Sequence, residues 1–489
     1  MGLKEEWSFL DKISMGAKGT KKITEILNTA GHHIIELERY SSSNKIWATK
    51  IKRLRIPDLL CLKCGKRIEA RAKSKLGIIM SDSLNNKDRR WFVGLRDDDM
   101  VAFISCQKEG VAKWIPSNSI NLFRISDLKA CEANGDTVLG SPKSASEGAE
   151  RDRTWKSYVP TFSGKVISIE ENKIKFLKDN NRNQTYNVPE NYTIYIKNND
   201  QIEGKSIIAC SVVKNKMEIN CDCSSYNYNF LEDLYSEDIA TKYGAVKALG
   251  HLPDYAETSI PKLNDLLSQH LDERVHLELL CSLLRLGEDK WEQIETKFSN
   301  TMDQAMKMEI ILILGELLNF GQARKILVSI ASNLELDSEL RACAIWNLGS
   351  KSELHPQILH FIADPDELVA LHTISIIEKN LNPEITRNLL LCLGTNHRLS
   401  ASAAKILSSS DFLDDNLIFE KMIREQDITK KRWLLYVIGI SGRERFENLM
   451  NGVEGQLGTD EVAELFWDYH SNWVTPEIVN KINFIKLQN

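Results

Sequence analysis

The sequence predicts a multidomain α+β protein in three parts, and three observations support this prediction. With 489 residues, the chain is too long for a single hydrophobic core. Helix-like and strand-like patterns alternate over residues 1–135, short β-branched runs occupy 150–223, and helical patterns recur over 226–489. We therefore predict an α/β domain at 1–135, a small β-barrel or β-sandwich module at 150–223, and an α-solenoid at 226–489.

The first region begins with a helical pattern at residues 19–30 that stops at Gly31, a residue type that often ends helices. A strand-like run follows at 32–38. Runs on either side of a turn at Gly65 predict an antiparallel hairpin. A loop and helix through 81–90 and an apolar strand at 100–105 complete the region.

Two acids of the hairpin form the candidate site. Asp58 opens the first strand, and Glu69, Arg71 and Lys73 alternate onto one face of the second. Within residues 45–75, eleven lysines and arginines surround only these two acids. A basic field around two carboxylates suits a polyanionic substrate held near a cation. The alternative is a solvated charged surface in which Glu69 pairs with an arginine of its own strand.

The hairpin resembles the PD-(D/E)XK nuclease superfamily, the fold of many restriction endonucleases. Pro57 and Asp58 match the first half of the motif, and Glu69, Ala70 and Arg71 stand in place of the second. The resemblance implies a restriction-endonuclease-like core that hydrolyses phosphodiester bonds as an endonuclease. DNA is the favoured substrate, and prokaryotic antiviral defence or DNA processing is the implied setting.

The resemblance also implies Mg²⁺ or Mn²⁺, hard cations that prefer oxygen ligands. Asp58, Glu69 and the carbonyl of Ala70 are the expected ligands. A further acid from the neighbouring helix or strand is expected among three residues: Glu25, Glu36 and Glu38. Glu25 is preferred because such nucleases often contribute a helical glutamate.

Arg71 departs from the family pattern, in which a lysine usually orients or deprotonates the attacking water. Arginine keeps its charge near neutral pH, so a role as general base is excluded, while positioning and charge stabilisation remain. Lys73 points to the same face and can substitute. The alternative function is a non-enzymatic helical-repeat scaffold with a degenerate nuclease-like domain that only binds nucleic acid.

Basic side chains around the hairpin are expected to contact phosphates. These residues are Lys52, Arg53, Arg55, Lys75, Arg89 and Arg90. Trp91 follows them, and it either stacks on a base or belongs to the core.

Cys61 and Cys64, followed by glycine, form half of a zinc-ribbon knuckle. The residues that could complete a Zn²⁺ site after folding are also cysteines: Cys106, Cys131, or the pair Cys221 and Cys223. Two reduced cysteines in a turn are the favoured interpretation, so a structural Zn²⁺ is the minor alternative. The adjacent His32 and His33 are interpreted as a strand pair beside a turn rather than as ligands.

The second region carries strand-like runs at 166–169, 173–176 and 192–196, with a hairpin loop at 179–183. Residues 140–149 are rich in serine and glycine, which predicts a linker before this second region.

Helical runs of the third region close on glycines that fall 37, 28 and 34 residues apart: Gly250, Gly287, Gly315 and Gly349. Acids precede the helices as N-caps would: Asp238, Asp272, Asp303, Asp337 and Asp366. The pattern resembles HEAT repeats, whose helical pairs stack into a curved array with a long binding surface. We expect a partner protein, or the nucleic acid itself, on that surface.

No apolar run approaches the roughly 20 residues that a membrane helix needs. The N-terminus lacks the basic start and apolar stretch of a secretory signal. We therefore expect a cytoplasmic chain without a membrane partner.

Overall fold

The chain forms two compact units in this computed structural model. The first, called the sheet unit, comprises residues 8–45 and 52–290, and the second, called the helical unit, comprises 1–7, 46–51 and 291–489. The structure describes residues 7–37, 47–51, 54–75, 77–143, 149–204, 206–212, 220–221, 223–349, 356–441 and 474–488. N-terminal sheets followed by a run of helices agree with the predicted α+β class. The predicted boundaries between three domains stay predictions.

The sheet unit opens with α1 (Trp7–Thr29), β1 (Ile34–Glu36), β2 (Leu59–Cys61), β3 (Arg67–Lys73), β4 (Ile78–Asp82), β5 (Met100–Gly110), β6 (Lys113–Pro116), β7 (Asn121–Arg124) and α2 (Ile125–Ala133). One sheet has the strand order β1-β2-β3-β5-β6, and β7 also pairs with β5. β3 and β5 run parallel, whereas β2 pairs antiparallel with both β1 and β3. The predicted hairpin is therefore confirmed as β2 and β3.

Helix α1 covers one face of this sheet. Its Ile23 and Leu27 pack into a buried cluster with Ile68 and Met100 of the strands. At Gly19 a Cβ atom would lie 2.5 Å from the Cβ of Ala72, so only glycine allows the helix to approach β3 this closely. The helix starts at residue 7, twelve residues before the prediction.

The predicted glycine end of α1 is confirmed, because Gly31 has a φ of +91°. The predicted helix in residues 81–90 is wrong. Those residues complete β4 and then form one 3₁₀ turn, Lys87–Arg89, because the Asn86 side chain accepts from the Asp88 backbone N–H. A polar run without an apolar stripe has no face that a longer helix could bury.

The remaining strands are β8 (Thr137–Leu139), β9 (Arg151–Trp155), β10 (Ser157–Tyr158), β11 (Gly164–Glu170), β12 (Lys173–Lys178), β13 (Asn183–Asn187), β14 (Thr193–Ile194), β15 (Gln201–Ile202) and β16 (Ala209–Cys210). They form sheets with the orders β4-β9-β8, β10-β16-β14 and β13-β12-β11-β15. The strands predicted at 166–169 and 173–176 are confirmed, as is the turn between β12 and β13.

Four helices of the sheet unit pack against the first sheet: α3 (Phe230–Asp233), α4 (Ile239–Gly250), α5 (Ala256–Leu267) and α6 (Glu273–Arg285). Their apolar residues, such as Tyr243 and Leu279, share one buried cluster with Leu60 and Leu62 of the hairpin. The hairpin is therefore held between α1 and these helices.

The helical unit contains α7 (Trp291–Asn300), α8 (Gln304–Glu316), α9 (Gly321–Ser332), α10 (Ser338–Leu348), α11 (Glu367–Lys379), α12 (Pro383–Cys392), α13 (His397–Ser408), α14 (Asp415–Arg424), α15 (Ile428–Ile440) and α16 (Pro476–Gln488), with a 3₁₀ segment at Pro356–Ala363.

The aspartates predicted to cap helices are confirmed in both units. Asp238, Asp272, Asp303, Asp337 and Asp366 each accept a hydrogen bond from a backbone N–H in the first turn of the helix that follows. Among the described residues, no helix is both long and apolar enough to cross a membrane.

Candidate functional site

The sheet unit contains a cleft with a volume of about 760 Å³. Its walls come from α1, β1, β3, the segment before β2 and the turn after β4. The predicted site residues that line it are Arg55, Asp58, Glu69, Ala70, Arg71, Lys73, Arg89 and Arg90. The fold therefore gathers both predicted carboxylates and both predicted cations of β3 into one concave site.

The cleft follows an open edge of β3. This strand pairs with β5 from Ile68 to Lys73, but with β2 only at Arg67 and Ile68. Among the described residues, no strand pairs with this edge beyond Ile68. The N–H of Ala70 donates to Asp58 Oδ2 at 2.8 Å across the gap. Because the N–H and C=O of one strand residue point to the same edge, the Ala70 carbonyl also lies on the open side.

Glu69 and Arg71 interact directly on β3. Arg71 Nη2 lies 2.5 Å from Glu69 Oε1, with the glutamate side chain 11 % exposed and the arginine side chain 39 % exposed. Residues two apart on a strand share one face, which allows this ion pair. The guanidinium therefore fixes the orientation of the Glu69 carboxylate and offsets its charge.

Lys73 is a cation of the cleft with a perturbed protonation equilibrium. Burial lowers its pKa from 10.5 to about 8, and the positive charge of Arg71 adds to the effect, against a partial opposing contribution from Asp152. A fraction of the neutral amine is therefore present near physiological pH, unlike for a solvated lysine. A titratable group shifted in this way within a cleft is a candidate for proton transfer.

The additional acid that a neighbouring helix or strand contributes to the cleft is not Glu25, the residue that the sequence favoured. Glu25 is exposed, pairs with Lys22 at 3.4 Å and does not line the cleft. Glu36, at the end of β1, does line it. Strand β1 pairs with β2 so that Glu36 lies opposite Leu59, the residue after Asp58. Glu38 lies outside the described residues.

The residues predicted to contact phosphates differ in their positions relative to the cleft. Arg55 and Arg89 are exposed and line the cleft, with Arg89 Nη1 3.8 Å from Glu150. Arg90 donates to Asp82 and Glu132, which makes it part of a structural ion-pair network. Lys75 is exposed and does not line the cleft. Lys52 and Arg53 lie outside the described residues.

Trp91 belongs to the core. Its side chain is 4 % exposed, its ring packs edge-on against Trp155, and Nε1 donates to Glu132 at 2.5 Å. Part of the residue lines the cleft, but these contacts hold its ring in the core. Lys21 of α1 also lines the cleft, although nothing but its position in a helical pattern marked it in the sequence.

The predicted cysteine pair lies in a second cluster. One ligand atom each from His32, Cys61, Cys64 and Cys221 lies within 4.8 Å of the other three. Cys106, Cys131 and Cys223 are not members of this cluster, which was identified among the described residues. The hydrogen bond from Cys64 lowers the pKa of the Cys61 thiol, with smaller contributions from His32 and the His33 backbone. Cys221, 157 residues after Cys64, was one of four cysteines that the sequence offered as partners, and nothing in the sequence favoured it over the other three.

Comparison with models of known protein families and with curated proteins gives no match. Among solved structures, the chain is similar to the X-ray structure of YibA from E. coli, with 11% identity, a TM-score of 0.24, and coverage of 53% of this chain and 91% of that one. It is also similar to the complex of CpcE and CpcF of phycocyanin lyase from Nostoc sp. PCC7120, with 15% identity, a TM-score of 0.23, and coverage of 52% and 99%. Likeness at this level assigns neither fold nor function.

Proposed function

We propose that the chain is a metal-dependent endonuclease whose active site is the cleft along the open edge of β3. The observation that carries the proposal is the convergence of Asp58, Glu69 and the Ala70 edge with Arg71 and Lys73 in one cleft. The proposal includes the finer fold, namely a restriction-endonuclease-like core in the sheet unit and a HEAT-like solenoid in the helical region.

The oxygen donors of the cleft suit a hard divalent cation. Asp58, Glu69 and the Ala70 carbonyl would hold Mg²⁺ or Mn²⁺, and Glu36 replaces Glu25 as the additional acid. When bound, such a cation neutralises charge on the phosphate and activates water. The donor set supports this assignment because it combines carboxylates with a backbone carbonyl on an unpaired strand edge.

Two contacts orient the carboxylates. The Ala70 N–H holds Asp58 Oδ2, and the Arg71 guanidinium holds Glu69 Oε1, so both acids have a fixed direction without substrate. Fixed groups need little reorganisation during a reaction. Arg71 is therefore a positioning residue for Glu69 that also adds positive charge beside a phosphate.

Lys73 takes the proton-transfer role that Arg71 cannot perform. Its pKa of about 8 leaves part of the amine neutral near pH 7 to 8, and a neutral amine can accept a proton from an attacking water. The two functions that a single lysine combines in related motifs are thus divided between Arg71 and Lys73.

The charge of the cleft favours a polyanionic substrate. Lys21, Arg55 and Arg89 line it around the acids and suit contacts to phosphate groups on either side of a scissile bond. DNA remains the favoured substrate, as the motif implies, and the helical region would bind a partner protein or extend the nucleic-acid contact.

The test is a cleavage assay with supercoiled DNA, single-stranded DNA and RNA, each with Mg²⁺, Mn²⁺ or chelator. We expect metal-dependent cleavage by the wild type and a loss of about 10²-fold or more in Asp58→Ala and Glu69→Ala. Glu25→Ala is the matched control, because this acid is exposed and outside the cleft, and it should cleave like the wild type.

Cleavage that survives in both cleft variants, or that resists the chelator, would contradict the proposed site. If the wild type cleaves none of the substrates but binds them, and Arg55→Ala weakens binding, the scaffold with a nucleic-acid-binding domain becomes the better explanation. Fluorescence anisotropy with labelled DNA and RNA measures this binding.

A further inference from the structure

The cluster of His32, Cys61, Cys64 and Cys221 has the dimensions of a tetrahedral metal site. Its four ligand atoms lie within 4.8 Å of one another, and Cys64 Sγ lies 3.9 Å from His32 Nδ1. With Zn–S bonds of about 2.3 Å and Zn–N bonds of about 2.0 Å, the edges of a tetrahedron are about 3.5 to 3.8 Å long. Only small side-chain movements separate the cluster from that geometry.

Backbone contacts bring the cluster together from three parts of the sheet unit. Cys61 ends β2, and the Gly65 N–H donates to its carbonyl at 2.9 Å in the turn that carries Cys64. His32 follows the glycine end of α1. The Cys221 N–H donates to the Ala30 carbonyl at 3.0 Å, which fixes this distant residue beside the same helix end.

The position of the cluster is that of an internal, structural site. The Cys61 side chain is fully buried and His32 is 6 % exposed, while Cys64 and Cys221 are half-buried. Four protein ligands would fill a tetrahedral shell and leave no open position for a substrate or water. Lys63, between the two cysteines of the turn, donates Nζ to the Gly31 carbonyl at 2.8 Å and places a cation next to His32.

The ligand types select the ion. Three sulfurs and one imidazole nitrogen suit Zn²⁺, whereas Mg²⁺ and Ca²⁺ prefer oxygen. The cluster is thus chemically distinct from the oxygen-lined cleft that begins at Asp58 on the same hairpin.

We propose that His32, Cys61, Cys64 and Cys221 bind one structural Zn²⁺, which ties the end of α1 and the β2–β3 turn to the chain segment at residues 220–221. Such an ion closes a chain loop between Cys64 and Cys221 and fixes the turn of the hairpin that carries the two acids of the cleft. The inference does not depend on cleavage activity.

The first experiment measures metal in the full chain, expressed without a polyhistidine tag in zinc-supplemented medium and purified without chelator. We expect about one equivalent of Zn²⁺ per chain by elemental mass spectrometry. Cys64→Ser and Cys221→Ser should bind less than about a fifth of that amount. Cys223→Ser and His33→Gln are matched controls, since each lies next to the cluster in sequence but outside it, and both should keep the full amount.

The second experiment uses only the wild type and therefore does not depend on the folding of any variant. X-ray absorption at the zinc edge should show about three sulfur neighbours and one nitrogen neighbour, at about 2.3 and 2.0 Å. The proposal would be overturned if the wild type remained free of zinc after expression in zinc and reconstitution, or if the ligand shell were rich in oxygen. A disulfide between Cys61 and Cys64, or an equal loss of zinc in the control variants, would also overturn it.

Discussion

The two ends of the β2–β3 hairpin carry opposite kinds of chemistry. At one end, Asp58 and Glu69 face an open cleft with oxygen donors and surrounding cations. At the other end, Cys61 and Cys64 lie in a largely buried cluster of sulfur and imidazole. Strand β2 has only three residues, so about 10 Å of chain separates Asp58 from Cys61. One short strand therefore connects an open cleft lined by oxygen donors to a largely buried cluster of sulfur and imidazole.

The end of the hairpin with Cys61 and Cys64 is called the closed end, and the end with Asp58 and Glu69 is called the open end. The two ends are close enough for the closed end to support the open end. Cys61 and Leu59 pack on the α1 side of the sheet, while Leu60 packs on the side of the later helices. A strand with so few residues has little pairing of its own to resist displacement. We infer that loss of the cysteine cluster loosens Asp58, whereas loss of the cleft acids leaves the cluster intact.

The largest expected effect follows from removal of a proposed zinc ligand. Cys64→Ser should lower the free energy of unfolding by about 3 to 5 kcal/mol, because the binding energy of a structural ion contributes to folding. This loss is smaller than the zinc-binding free energy of isolated zinc-finger peptides, because hydrophobic cores also stabilise the sheet unit. Urea unfolding followed by circular dichroism measures it.

Cys223→Ser is the control for this comparison and should unfold at the same urea concentration as the wild type. A Cys64→Ser protein that matches this control in stability would show that the closed end does not hold the hairpin. The reverse test is Asp58→Asn, which should keep its zinc while losing cleavage.

The next effect concerns Lys73 in the cleft. Lys73→Met should reduce cleavage by about 10²-fold or more, because the neutral amine is lost as proton acceptor while the alkyl stem is kept. In the wild type, the cleavage rate at saturating metal should rise with pH, with a midpoint near pH 8 where half of the amine is neutral, and level off at higher pH. The variant should lose this rise. Lys75→Met, two residues beyond the end of β3 and outside the cleft, is the control.

The same substitution has a predictable effect on stability. The pKa of Lys73 is lower in the folded state than the 10.5 of the unfolded chain, so the cost of its charge is fully present below about pH 8 and disappears as the pH rises to 10.5. Lys73→Met should therefore raise stability at pH 7, by at most about 3 kcal/mol. A variant that is less stable and still active would contradict both roles.

The sequence predicted the open end better than the closed end, for a physical reason. Asp58 and Glu69 are joined by local strand pairing, so their spacing and alternation already place them together. Cys221 reaches Cys64 only because its backbone bonds to the end of α1, a contact that no local pattern encodes. For the same reason, His32 was interpreted as part of a strand pair beside a turn and not as a ligand.

The helical region shows the same contrast between local and distant contacts. The capping aspartates were predictable because each contacts a backbone N–H two or three residues away. The packing of α3–α6 into one core with Leu60 and Leu62 was not, because the helical pattern alone does not identify its partner. Glu36 was likewise underrated against Glu25, since only the pairing of β1 with β2 brings it to the cleft.

A smaller effect tests the turn between the two sites. Gly65 has a φ of +67°, and a Cβ there would lie 2.3 Å from the ring of Tyr228. Gly65→Ala should cost about 2 to 3 kcal/mol of stability and weaken zinc binding. Gly135→Ala is the control, because Gly135 has a φ of +79° with nothing within 4 Å of the added Cβ, so only the backbone cost of about 1 kcal/mol applies. Equal losses in both variants would mean that Tyr228 moves away freely.

The smallest expected effect separates the two causes of the lowered Lys73 pKa. Arg71→Gln removes the positive charge that adds to burial, so the pKa should rise and the midpoint of the pH–rate curve should move up by less than about one unit. Arg71→Lys keeps the charge and should leave the midpoint near its wild-type position. The measurement is the initial cleavage rate at saturating metal from pH 6 to 10. A shift above about two units in Arg71→Gln would show that Arg71, rather than burial, controls the protonation of the proposed base.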